Sequence, residues 1–455
     1  MSGPLWDRGQ PIDQLMLRFT TGRDPELDLR LVPHDAAASA AHARMLAQIG
    51  VLGREDLAPL LAELQAIAQD AREGRFAVTA QDEDGHTAIE NRLTERLGQA
   101  GRRIHTGRSR NDQVIAALRL HGREAVLQVA RRLTQLASTL AELAQQHRET
   151  SIPGYTHTRQ AMPSTLGLLL GAHAEGLLEA VPWLQVAFAH LNRSPLGSAS
   201  GFGVPLPLDR QLVADLLGFD SVQANTIAVQ NDRGKAEMLV LGALLGPAQD
   251  LGRLASDLIW FSSDELGYIR LGTRVTTGSS IMPNKRNPDV LELVRASAGR
   301  LRGWHAMVGA VASAALPSGY HRDLQLTKEP FLEGLQCTLD MLAAMALVLD
   351  SIEVDVGRCR DAVLPTTAAT DVLYGRVAGG QPFRSAYREV AADPAAAVAG
   401  AGPPAELWRE RRHQGGPGAL DLAPVLERAV AALRWVDQQH ARLEAVARSI
   451  FDPDR

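Results

Sequence analysis

Residues 126–144 read VLQVARRLTQLASTLAELA, with apolar side chains at Val126, Val129, Ala130, Leu133, Leu136, Ala137, Leu140, Leu143 and Ala144. Steps of three and four place these residues on one stripe of a helix, held over about three heptads. Four more segments read as long helices. Residues 164–191 are apolar on most faces, the pattern of a fully buried helix. Residues 235–266 carry a stripe of Leu241, Leu244, Leu245, Ala248, Leu251, Ala255 and Leu258, with Pro247 inside it as an expected kink. A fourth helix is expected over residues 288–316, with Asn287 as cap and Pro288 at the first helical position, and a fifth over 331–349. Helices of roughly 20–35 residues far exceed the globular mean of about 11. The expected architecture is all-α, built around a bundle of long helices that assembles with other subunits into a larger helix bundle.

Composition agrees with that class. The chain has 455 residues, 45% hydrophobic but only 4% aromatic, which favours helices rich in Ala and Leu over sheets. Shorter helices flank the bundle, so three helical domains are expected, at residues 1–107, 108–360 and 361–455. The Gly-, Pro- and Ala-rich stretch 391–418 reads as a mobile loop. A net charge of −5 argues against nucleic acid as a partner. Two cysteines, Cys337 and Cys359, make no disulfide framework, and no apolar run approaches the ~18 residues of a membrane span. The N-terminus lacks the pattern of a signal peptide. A cytoplasmic protein without membrane or nucleic-acid partners is expected.

Between the helices lie polar segments that packing does not explain. HTGRSRNDQ (105–113) puts Ser109 between Arg108 and Arg110 and follows it with Asn111, a set that suits a carboxylate or phosphate and equally suits a helix cap. PGYTHTRQAMP (153–163) holds Thr156 and His157, and histidine is the usual proton-transfer group near neutral pH. TTGSSIMPNKRNPDVLELVR (276–295) gathers Gly278, Ser279, Ser280, Lys285, Asn287 and Glu292 around a turn into a helix. There a cationic environment and free N–H groups favour a serine alkoxide and an anionic intermediate. It lacks the GxSxG elbow of a serine hydrolase. GYHRDLQLTK (319–328) offers Tyr320, Gln325 and Lys328, while GSASGFGVPLP (197–207) reads as a mobile active-site loop or a structural turn. No HExxH, phosphate-loop or dinucleotide pattern occurs.

Taken together these motifs resemble the fumarase/aspartase superfamily, whose GSSxMPxKxNxxxxE signature is filled from Gly278 to Glu292. Within it, HTGRSRNDQV, PGYTH, the NPD after the lysine, and YHRDLQ are similar to the argininosuccinate lyase family. The likeness spans residues 31–383, including AHARMLAQIGVL, EDGHTAIENRL, ATDVLY and PFRSAY.

The resemblance implies cleavage of argininosuccinate to arginine and fumarate by anti β-elimination, with no metal and no organic cofactor. It casts Ser279 as the base for the Cβ proton and His157, backed by Glu292, as the aid to proton transfer at the leaving nitrogen. It gives Lys285 the stabilisation of the aci-carboxylate. Ser109, Arg110, Asn111, Thr156, Asn287, Tyr320, Gln325 and Lys328 become substrate contacts. A homotetramer with sites shared between subunits is implied as well. Alternatives are another lyase of the superfamily, such as fumarase, aspartase or adenylosuccinate lyase, or a non-catalytic crystallin-like homologue. The chain departs from the family pattern at Arg159, Met162 and Gly234. The family's N-terminal substrate-binding serine has no clear counterpart, for FTTGRDPELD offers Thr20, Thr21 and Asp24 instead.

Overall fold

The longest helix owes its start to a capping box. Ser109 Oγ accepts the Asn111 N–H at 3.3 Å, and Asp112 Oδ1 accepts the Ser109 N–H at 3.0 Å. These bonds satisfy donors that a helix start otherwise leaves open. The computed structural model describes residues 13–79, 81–314 and 317–453. In it, short α1 (Asp24–Leu29), α2 (Val32–Gln48), α3 (Arg54–Arg72) and α4 (Gly85–Leu97) precede this long helix, α5 (Arg110–Gln146). The expected stripe from Val126 to Ala144 forms its buried side, except that Leu143 is only partly covered.

A hairpin of β1 (Ser151–Thr156) and β2 (Arg159–Thr165) follows, then α6 (Leu166–Glu179) and α7 (Val181–Leu191). The single helix expected over 164–191 is therefore two. Pro182, without an N–H and disfavouring the α conformation before it, starts a new helix after Ala180. The chain continues through α8 (Lys235–Phe261), α9 (Asp289–Ala312), α10 (Lys328–Leu349) and α11 (Ala423–Ser449). Pro247 lies inside α8, which runs on past it. Helix accounts for 68% of the structure, and among the described residues strands occur only in two-stranded pairs. This is the all-α class expected. By composition the stretch Arg322–Leu349 is long and apolar enough to cross a membrane, but 61% of its most apolar window is buried in the core.

Close approaches at glycine fix how the rods lie. Gly122 of α5 faces Phe331 of α10, and Arg132 donates to the Leu339 carbonyl, so α5 and α10 run the same way. Gly334 of α10 meets Leu241 of α8, whereas Gly242 and Gly252 of α8 face His305 and Ala298 of α9, which runs opposite. The bundle thus has two poles. The starts of α5, α8 and α10 mark the first, and the hairpin with the start of α9 marks the second. At 1.5 Å per residue, the 27 residues of α8 separate the poles by about 40 Å.

The buried apolar side chains form one large cluster in the bundle, a second centred on α2 to α4, and a small one around Leu373, Ala386 and Val390. Part of the loop expected to be mobile, 391–418, packs on the hairpin: Trp408 is buried and donates its indole N–H to Ser151 Oγ at 3.0 Å.

At Gly167 of α6, an added Cβ would stand 2.5 Å from Arg148 Cα and 2.6 Å from the Ala144 carbonyl oxygen, both backbone atoms. Helix propensity favours Gly→Ala by about 0.5–1 kcal/mol, while overpacking costs about 1–3 kcal/mol. Gly167→Ala is therefore expected to lower the thermal midpoint. A rise in a melting experiment would show that α6 can move off α5.

Candidate active site

The first pole is built from helix starts and the short helix packed beside them. Lys328, the first residue of α10, is fully buried, with Nζ 2.8 Å from Asp24 Oδ1 and 2.5 Å from Asp28 Oδ1. The two aspartates are one turn apart on α1, which brings both onto one face. Burial works against the Lys328 ammonium, but Asp28 and Asp24 outweigh it and hold its pKa above the ordinary lysine value. Burial pushes the Asp24 carboxyl above the usual range, against the pull of Lys328. Gln325 offers Nε2 to Asp24 at 3.4 Å and accepts from Arg233 at 3.1 Å. Arg110 bonds Glu83 at 3.0 Å and pairs with Asp84 at 2.9 Å, and Arg322 also donates to Glu83, at 2.9 Å. Tyr320 lies close enough to Arg110 to act on its charge, and Ser109 and Asn111 stand half-buried at the start of α5. Asp112 is fully buried, its carboxyl pushed up to about 6 by burial although the Ser109 and Ala199 N–H groups donate to it. Through Ala199 it ties down the 197–207 segment, where Ser198 is buried too. Of the two readings of that segment, the structural turn fits the geometry.

Beneath this pole lies a second buried set. His86 Nδ1 makes a short contact with Asp35, Ser39 donates to Asp35 at 3.4 Å, and Arg108 donates to Ser39 at 2.9 Å. Burial opposes charge on His86, but Asp35 overrides it and the pKa is raised. Burial likewise opposes charge on Asp35, yet His86 and Arg108 bring its pKa below the ordinary value.

The second pole carries the other motifs. Thr156 pairs with Arg159 across a two-residue turn in which His157 and Thr158 have φ of 51° and 60°. That turn favours Asn-Gly, and non-glycine residues pay roughly 1–3 kcal/mol each in such regions. Tyr155 anchors the hairpin through a 2.6 Å bond to Tyr268, and Gln160 donates to the Ala362 carbonyl at 2.8 Å. The serine segment closes on itself, with Thr277 paired to Asn287 and Gly278 to Arg286. Ser279 Oγ accepts N–H groups from Met282 at 3.1 Å and Ile281 at 3.4 Å. Two donors aimed at a hydroxyl oxygen favour its alkoxide. Lys285 and Glu292 are exposed. Asn287 does not cap α9, because its backbone is engaged in the ladder and its side chain turns to the Gly278 carbonyl at 3.5 Å. Pro288 takes the cap position instead, and α9 begins at Asp289 and ends at Ala312, short of the expected 316.

One chain therefore gathers Ser109, Arg110, Asn111, Tyr320, Gln325 and Lys328 at the first pole, and Thr156, His157, Ser279, Lys285, Asn287 and Glu292 at the second. It does not join the two groups. Nor does an ion pair link His157 to Glu292 among the described residues. Asp28, Glu83, Asp84 and Arg322 had no part in the sequence reading of the site. The signal for Asp28 is its spacing of four from Asp24 on a short helix; Glu83 and Asp84 open the EDGH motif.

The His86–Asp35 pair has a defined pH window. His86, raised above 6.5, contributes fully below that pH and loses its contribution as pH rises through its folded value. Asp35, lowered below 3.8, contributes above that pH and loses its contribution as pH falls through its folded value. Replacing both, as His86→Gln with Asp35→Asn, is expected to cost most stability from pH 3.8 to 6.5 and less at pH 9. Denaturant unfolding across pH checks this; a penalty that grows toward pH 9 would contradict it.

Comparison with known proteins shows the family. A family model described as lyase matches residues 7–303. Argininosuccinate lyase of Sorangium cellulosum is 44% identical over 94% of this chain and 99% of its own length. That of Stenotrophomonas maltophilia is 44% identical over 90% and 94%. Among solved structures, EDDS lyase in complex with formate superposes with a TM-score of 0.80, covering 98% of this chain and 96% of that one. At 24% identity that likeness speaks for the fold alone. With a filled signature, its motifs at the two ends of a long-helix bundle and relatives matched over nearly their whole length, the chain belongs to the argininosuccinate lyase family of the fumarase/aspartase superfamily.

Proposed function

We propose that this protein cleaves argininosuccinate to L-arginine and fumarate in arginine biosynthesis, as a cytoplasmic homotetramer in which each active site draws on several subunits. The relatives that share 44% of the sequence carry this activity in their names. The observation that carries the shared site is the distance of about 40 Å between the poles along α8. A second copy laid antiparallel brings the second pole of one subunit against the first pole of another. The bundle also exposes large apolar residues that one chain leaves uncovered, among them Leu293, Met307 and Leu347, as interfaces do. Both cysteines are free and buried, as suits a reducing compartment.

In this reading the Ser279 alkoxide takes the Cβ proton of the succinyl group. The electron pair passes into the adjacent carboxylate, where Lys285 offsets the second negative charge. The C–N bond then breaks as the double bond of fumarate forms, and the leaving guanidinium nitrogen receives a proton with the help of His157 from the opposite face. Glu292 stands behind the imidazole and orients it. The carboxylates of the substrate call for lysine, asparagine and N–H donors, and its guanidinium calls for carboxylate and carbonyl partners.

Mixing purified protein with argininosuccinate and following the ultraviolet absorbance of fumarate tests the reaction, and malate and aspartate in parallel separate it from the other branches. Ser279→Ala is expected to cut kcat by ~10²–10⁴ without a change in melting. Ser280→Ala should keep most activity; the reverse result moves the base by one residue. Assembly has its own readout. Refolding Ser279→Ala subunits with Asn111→Ala subunits, each impaired alone, is expected to restore about a quarter of wild-type activity, because some sites draw both intact poles from different chains. A fully active monomer in light scattering would end the shared-site reading.

Glu292→Gln is expected to slow turnover although Glu292 touches no substrate. Once His157 is Asn, adding Glu292→Gln should cost little more, since residues that act as a unit are non-additive. Independent losses in this double-mutant cycle would give the carboxylate another task.

A further inference from the structure

The family resemblance assigns Lys328 to substrate, and a buried lysine there offers a cation to a carboxylate. In this chain that charge is already matched within the fold. Asp24 and Asp28 both meet Nζ, at 2.8 and 2.5 Å. Asp28 is committed to the scaffold, because its second oxygen accepts the Gly85 N–H at 3.0 Å. Among the described residues the second oxygen of Asp24 has only the long 3.4 Å contact with Gln325, so Asp24 is the partner with accepting capacity left. The neighbouring cations are matched as well: Arg110 pairs with Glu83 and Asp84, and Arg322 with Glu83. In the ion pairs of Arg110, Arg322 and Lys328, four carboxylates, Asp24, Asp28, Glu83 and Asp84, stand against three cations, and Arg233, which donates to Gln325, is matched by Glu237 and leaves that excess unchanged. The uncompensated charge is negative.

We propose that Asp24 is a specificity-determining positioning residue: it keeps the Lys328 charge from the substrate and leaves a hydrogen-bond-accepting wall that selects the cationic groups of the substrate's amino-acid end over its carboxylate. The inference rests on the proposed function, in which Ser279, His157 and Lys285 work on the succinyl group from the other pole. The first pole is then left for the non-reacting arginine end, which carries an ammonium, a guanidinium and one carboxylate. Of the three N-terminal residues that the sequence offers in place of the family's serine, Asp24 is the one in contact with Lys328 and Gln325. Thr20, on a helix Gln14–Thr21 that precedes α1, spends its hydroxyl on the Met16 and Leu17 carbonyls of that helix.

The test compares inhibition by arginine with inhibition by agmatine, which is arginine without its carboxylate, in the wild type, Asp24→Asn and Asp24→Ser. Wild type is expected to bind agmatine at least as well as arginine. Both variants should shift the ratio toward arginine by about tenfold, because the freed ammonium then meets the carboxylate. Asp28 keeps one of the three Lys328 donors in both, so the ammonium is freed on the Asp24 side without being stranded in the fold, and a melting curve for each verifies this. A ratio that stays put in two folded variants, or moves toward agmatine, overturns the proposal. If wild type makes no fumarate, the proposed function fails instead. Calorimetric titration of the two ligands then still reads the ratio, and no binding of either would sink the role of Asp24 too.

Discussion

Everything in this protein is organised by the stiffness and length of its helices. A helix advances 1.5 Å per residue and cannot fold back, so whatever sits at its two ends is held apart. The 37 residues of α5 span about 55 Å, with α10 and α11 packed along it and α8 and α9 packed on one another as rods. The candidate site segments lie at the poles, where backbone donors, turns and charged side chains escape the apolar packing. Tight glycine contacts such as Gly334 against Leu241 keep the rods in register. Register decides which polar segments share a pole.

The two poles solve different problems. The first is dense with buried charge: Lys328 between two aspartates, Arg110 between Glu83 and Asp84, His86 on Asp35. Removing one member of such a pair typically costs ~3–5 kcal/mol, since the other is left buried and unpaired. The set is rigid for that reason, and a rigid wall can discriminate between substrate groups. The second pole is exposed and built of turns. His157 rests on a strained hairpin tip, and Ser279 on a loop closed by a two-residue ladder. Buried charge fixes a shape in advance; exposed turns leave their donors and bases free to meet a partner surface.

The line between what the sequence by itself determined and what tertiary structure decided follows the range of the interactions. Helix type and stripe were legible in residues 126–144 and 235–266, the second helix ending at Phe261, five residues short, because periodicity is local and the apolar face must point inward. The candidate site segments stood out because Gly-rich polar runs between helices have no packing role, and the filled signature gave them an expected chemistry. The hairpin around His157 and the break at Ala180 were not, since strand pairing and a proline restart depend on what the chain meets next. Nor was the use of Asn287 in a ladder, where pairing with Thr277 won over capping. The deepest limit concerns charge. Asp24 and Lys328 lie 304 positions apart in sequence, and no local pattern tells that a lysine's charge will be matched by two aspartates from another segment. Only the packing of α1 against the start of α10 decides that, because an ion pair depends on distance in space, and distance in space is set by the rods.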